Sequence, residues 1–145
     1  MTMNLNRTLS NVCMAVLMSL FLMSVQAQDK LKVVYHVSEA GKVPFVLNNM
    51  RNHIKGVGGP ENVELVLVAH GPALKRFHEM EADEKVSGMF SELKEEGVRF
   101  DACGNTMRAF SYKLEDLLPG FICADEGGVV RIATLQSQGY LYIRP

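Results

Sequence analysis

Leu31-Lys-Val-Val-Tyr-His-Val37 and Asn62-Val-Glu-Leu-Val-Leu-Val-Ala69 decide the fold. Both are apolar at nearly every position and rich in β-branched residues, without the apolar–polar alternation of a strand that shows one face to water. Such runs suit strands buried on both faces, as in a parallel sheet held between helices. Between them Phe45, Val46, Asn49, Met50, His53 and Ile54 recur at helical spacing. Pro44 suits the first turn of that helix, and Gly56, Gly58 and Gly59 end it.

The alternation continues outward. After His70-Gly-Pro72 the spacing predicts a short helix over 73–80 and a longer one over 83–96, with Val86, Met89, Phe90 and Leu93 on one stripe. A third strand is predicted over 98–102 and a short helix over 106–112. A turn over 114–118 is stopped by Pro119-Gly120, a strand follows over 121–124, then a helix over 128–138 with Gly139 at its end, and a last strand over 140–144. Strands alternating with helices imply a three-layer α/β/α domain with a mostly parallel sheet of about five strands.

The front of the chain reads as a leader. Residues 1–10 carry one charge, Arg7, and an apolar run from Val12 to Val25 ends in Val25-Gln-Ala27, the small-residue pattern that signal peptidase reads. Cleavage is expected after Ala27, leaving a domain of residues 28–145. The run is short for a bilayer core of roughly 30 Å, so a removed signal is favoured over an anchor. Cys13 leaves with it, and the protein is expected to be exported, either periplasmic or secreted. Loss of Arg7 takes the formal charge from −1 to −2. Without a basic excess or a Lys/Arg block, neither nucleic acid nor, once the signal is gone, a membrane is expected as partner.

Two cysteines remain, Cys103 and Cys123. There is no C-x-x-C, so a thioredoxin-like centre and a zinc ribbon both lack their ligands, and neither a metal nor another cofactor is expected. Cys103 stands in Val98-Arg-Phe-Asp-Ala-Cys-Gly-Asn-Thr106, where a strand breaks into a Gly104-Asn105-Thr106 turn that can open a helix. There the amides of Asn105 and Thr106 would favour thiolate, the nucleophilic form, and the corner suits an exposed thiol better than a buried one. Arg108 follows with four residues between, one short of the Cys-x5-Arg phosphate cradle, and the short turn also lacks the loop of a rhodanese site. His70 closes the second strand, where a histidine can exchange a proton with a thiol or simply bond to loop backbone. Connectivity gathers His36, His70, Cys103 and Cys123 at the C-terminal edge of the sheet, where α/β proteins bind ligands. Cys103 and Cys123 are expected to be unbridged; a structural disulfide is the alternative.

Four segments, Val68-Ala-His-Gly-Pro72, Phe100-Asp-Ala-Cys-Gly-Asn-Thr106, Gly128-Val-Val-Arg-Ile132 and Leu135-Gln-Ser-Gln-Gly-Tyr140, together resemble the DsrE/DsrF-like sulfur-handling family over residues 33–145. The resemblance implies an α/β/α domain that forms trimers or hexamers. It also implies a cysteine that holds sulfur as a persulfide, received from a donor protein or small sulfur species and passed to an acceptor. That role maps onto Cys103, with His70, Gly104, Asn105 and Thr106 in support. Where the family often has Pro-Ala-Gly before the final helix, this chain reads Cys123-Ala-Asp-Glu-Gly-Gly128, so Cys123 stays open as a second thiol. A sulfurtransferase-like carrier is therefore expected. The alternatives are a non-catalytic oligomeric binding module of the same fold, or a thiol oxidoreductase cycling Cys103 with Cys123.

The leader is tested by N-terminal sequencing of the protein recovered from exporting cells that carry the full coding sequence. The expected first residue is Gln28; recovery of chains that begin at Met1 contradicts the reading.

Overall fold

The computed structural model describes residues 30–145; the leader, its cut after Ala27 and Cys13 lie outside the described residues. Five strands form one sheet: β1 (Leu31–Val37), β2 (Val63–Ala69), β3 (Arg99–Cys103), β4 (Phe121–Ala124) and β5 (Leu141–Ile143). Their order is β4-β3-β2-β1-β5, and every pairing is parallel. Four α-helices connect them: α1 (Val43–Gly56), α2 (Glu84–Glu95), α3 (Gly104–Phe110) and α4 (Gly128–Ser137).

This order fixes where the helices go. From β1 to β4 the chain steps steadily toward one edge, and right-handed crossovers then put every connection on one face. From β4 it jumps back past β1 to β5, and the same handedness sends α4 to the other face. The two buried clusters divide accordingly. Val33, Tyr35, Leu65, Leu67, Phe100 and Phe121 pack with Leu47, Met50, Phe90 and Met107 under α1, α2 and α3. Val34, Val66 and Val68 pack with Ile132 and Leu135 under α4. Among the described residues the second layer is a single helix, and Ile122 on edge strand β4 is half-exposed on that face.

Local departures from the expected elements have physical causes. The segment expected as a helix over 73–80 is a 3-10 turn, Gly71–Phe77, that opens on Pro72 and drives Ala73, Leu74 and Phe77 into the core. On α1 the buried stripe is Val43, Val46, Leu47, Met50 and Ile54. Phe45 points outward with the Lys42 ammonium 5.6 Å from its ring centre, and His53 bonds Tyr35 Oη at 3.0 Å. α3 starts two residues earlier than its spacing predicts, directly after Cys103. The tail strand is Leu141–Ile143, shorter than 140–144, and it joins its own sheet beside β1.

α4 is pinned to the sheet by charge as well as packing. Asp101, 1% exposed, accepts from Arg131 Nε of α4 at 2.6 Å and from Arg99 Nε at 3.1 Å. Replacing Asp101 by Ala strands both guanidinium groups. Because both arginines reach water, the expected loss is about 2 kcal/mol, less than for a fully enclosed pair. Exposed Val129→Ala is expected to stay within about 0.5 kcal/mol of the parent. Urea denaturation checks both, and equal stabilities contradict the pinning.

Candidate functional site

At the edge where β3 and β4 end, the chain leaves in opposite directions: α3 starts under one face and α4 over the other. A cleft opens at such a divergence. Here it is a cavity of about 260 Å³ lined by His70, Cys103, Asn105, Thr106, Glu126, Gly127, Gly128 and residues 129–130.

The strand ladder decides which side chains share it. Ala69 pairs with Ala102, and Cys103 with Ala124. Continuing the β2–β3 register by one residue sets His70 level with Cys103, and alternation points Cys103 to the face covered by α4. A Cβ placed on Gly128 would stand 3.3 Å from the Cβ of Cys103 and 3.4 Å from that of His70, so the start of α4 closes over both residues. Cys103 is consequently 6% exposed, contrary to the exposed thiol expected of the corner. The sequence shows the turn after the cysteine and not the second helix that caps it.

Cys103 sulfur is surrounded by donors. The Gly128 amide donates to Sγ at 3.1 Å. Burial alone would push the thiol up. The Thr106 hydroxyl and the amides of Gly128, Thr106 and Asn105 outweigh it, and the net shift is downward, toward thiolate. Thr106 can donate because its oxygen accepts from the Gly71 amide at 2.9 Å, which uses a lone pair and leaves the hydrogen.

Two glycines let the backbone come this close. Gly127 has φ +95°, and a Cβ there would collide with Asn105 Nδ2. A Cβ on Gly104 would press on the Ala124 carbonyl at 2.9 Å. Asn105 is held by Arg108, whose guanidinium also reaches the Asp125 carbonyl at 3.4 Å. Arg108 thus braces the turn.

Cys123 is elsewhere. It pairs in register with Ala102, so it faces the α1–α3 side of the sheet while Cys103 faces α4. Both thiols are free. Burial, then its hydrogen bond to Asp125 Oδ1 at 3.2 Å, pushes Cys123 up to about 11. The edge that connectivity predicts thus holds His70, Gly104, Asn105 and Thr106 around Cys103 and leaves Cys123 behind the sheet.

Three partners escaped the sequence. The Gly128 amide lies 25 residues from Cys103, and no local motif signals it. Tyr142 Oη lies 2.7 Å from His36 Nδ1, and His36 Nε2 lies 2.5 Å from His70 Nε2. Arg144 adds a positive charge beside both rings while bonding Ser38 Oγ at 3.0 Å. Among the described residues no group of three or more His, Cys, Asp or Glu is set to hold a metal, and no helix is long and apolar enough to cross a membrane.

A family model for the DsrE/DsrF-like family matches residues 30–145. Among solved structures, the protein of unknown function MTH1491 from Methanobacterium thermoautotrophicum is 34% identical with a TM-score of 0.70, the match covering 80% of this chain and 100% of that one. The ychN protein from E. coli is 17% identical with a TM-score of 0.59, covering 80% and 98%, a likeness of fold. No curated protein matches the chain.

The histidine pair makes stability depend on pH. Burial first, then the charges of His70 and Arg144, lowers His36 to about 4; burial, then Arg144, lowers His70. The folded state favours neutral rings, so its advantage is complete above the ordinary histidine value of ~6.5 and is lost as pH falls through about 4. The urea midpoint is expected to drop across that window, and less steeply in His36→Gln. Parallel slopes for the two proteins contradict the assignment.

Proposed function

The chain belongs to the DsrE/DsrF-like family, and from that premise we propose that it is an exported sulfur carrier working through a persulfide on Cys103. One observation carries the reading: Cys103 sulfur is ringed by hydrogen-bond donors from two helix starts and lines a cavity large enough for a small sulfur species.

The chemistry needs no outside oxidant. Cys103 thiolate attacks the outer sulfur of a donor persulfide, R–S–SH. The Sγ–S bond forms as the donor S–S bond breaks, and the electron pair leaves on R–S⁻, which takes a proton from water. Cys103 then holds –S–SH. An acceptor thiolate attacks that outer sulfur, and the pair returns to Cys103. The donors that favour thiolate at Cys103 also stabilise it as leaving group, so loading and unloading draw on one set of contacts. Asn105, Thr106, Gly104 and Gly128 supply or permit those contacts, and His70 borders the bound sulfur.

A Cys103–Cys123 redox cycle is the weaker account. The two side chains project from opposite faces of the sheet, and Cys123 is held protonated at neutral pH. A homo-oligomer, trimer or hexamer, belongs to the proposal. Half-exposed Ile122 and exposed Val129 and Val130 flank the cavity side of the sheet, where a second subunit or a donor or acceptor protein would cover apolar surface. Periplasmic or secreted location is part of the same proposal and rests on the leader expected from the sequence.

Incubation of the reduced protein with polysulfide, followed by mass spectrometry, tests the proposal. Gain of one sulfur that thiol reductant reverses is expected, and Cys103→Ser is expected to lose it while Cys123→Ser keeps it. An unchanged mass overturns the carrier and leaves the non-catalytic binding module in its place.

A further inference from the structure

Sulfur transfer at Cys103 leaves unused a line of hydrogen bonds that ends on His70, which lines the Cys103 cavity. It runs from Tyr142 Oη to His36 Nδ1 at 2.7 Å and from His36 Nε2 to His70 Nε2 at 2.5 Å. The planes of the two imidazole rings are 23° from parallel with centroids 4.6 Å apart, and their close approach is Nε2 to Nε2. His36 is 8% exposed.

A single proton must lie between the two Nε2 atoms. Two bare lone pairs would repel there, and two N–H groups would collide. Both rings are neutral at neutral pH, and a neutral imidazole has one N–H and one lone pair. The two tautomers are therefore locked together. When His36 carries its hydrogen on Nε2, His70 Nε2 accepts and His70 Nδ1 carries the hydrogen. In the opposite arrangement His70 Nδ1 is a bare lone pair.

The surroundings choose between them. Tyr142 Oη can pair with either tautomer of His36; where it donates its hydrogen to His36 Nδ1, the His36 hydrogen is left on Nε2. At the far end His70 lines the Cys103 cavity, and its Nδ1 has no protein partner among the described residues. A lone pair facing anionic sulfur repels it, whereas an N–H attracts it. We propose that Tyr142 and His36 are positioning residues that hold His70 as its Nδ1–H tautomer, a hydrogen-bond donor to the anionic sulfur at Cys103, a role that rests on the sulfur-carrier reading. This adds one side-chain donor, from the end of β2, to those of α3 and α4. The C-terminal strand β5 thereby contributes to a site whose cysteine is three strands away.

The other charged and titratable groups about the line are Arg144, paired with Glu39, beside the histidines. Glu126 lines the cavity, and Arg108, Asp125 and Cys123 lie behind Cys103.

Imidazole ¹⁵N spectra of the protein at neutral pH, assigned with His70→Gln, read the tautomers directly. The expected result is hydrogen on Nδ1 of His70 and on Nε2 of His36; hydrogen on Nε2 of His70 overturns the proposal. Tyr142→Phe removes one surface oxygen and is expected to yield a mixture of both tautomers, and an unchanged spectrum excludes Tyr142 from the role. The pH midpoint of Cys103 alkylation by iodoacetamide reads the consequence. His36→Leu is expected to raise it by about one unit, the loss of one hydrogen bond to a charged group. His36→Gln, whose amide N–H still donates to His70, is expected to stay near the parent. Equal shifts in both variants would mean a merely structural role and would overturn the assignment. None of these readouts involves sulfur transfer, so they separate this proposal from the polysulfide test of the carrier.

Discussion

The hydrogen bond from the Gly128 amide to the sulfur of Cys103 joins the two ends of the structural logic. It exists because the chain reverses direction after β4. Four strands laid down in steady progression send their connections over one face, and the return to β5 throws α4 across the other. The divergence opens a cleft at the ends of β3 and β4, and α4 begins inside it. Its first amide then meets a thiol that the β3 ladder points to the same side. Asp101, buried between Arg99 and Arg131, holds that helix down.

One consequence is the separation of the two thiols. Cys103 and Cys123 stand on neighbouring strands one register step apart, and a single step in a pleated strand reverses the face. The donors around Cys103 favour thiolate, while burial and Asp125 keep Cys123 protonated up to about 11. One reactive sulfur without a resolving partner among the described residues suits a group carrier. A dithiol switch would need both sulfurs on one side.

Much of this was legible in the residues. The continuous apolar runs of β1 and β2 announced a doubly covered parallel sheet, and Gly104-Asn105-Thr106 announced a helix opening on Cys103. Register then carried His70 to its place beside the thiol. What stayed hidden was long-range. Nothing near Cys103 tells that Gly128 will roof it, which is why an exposed corner was expected and a buried sulfur found. Tyr142 and His36 are 106 residues apart, and only the pairing of β5 beside β1 brings them together. The segment expected as a short helix over 73–80 shows the same limit, since it forms a 3-10 turn, Gly71–Phe77, that buries Ala73, Leu74 and Phe77.

The central claim is that the fold shifts Cys103 downward, toward thiolate, despite its burial. The difference in thiolate ultraviolet absorbance between the parent protein and Cys103→Ser, followed against pH, measures this directly. The account requires a midpoint below ~8.5, the value of a free cysteine. A midpoint at or above that value would mean that burial outweighs the surrounding donors, and it would contradict the account.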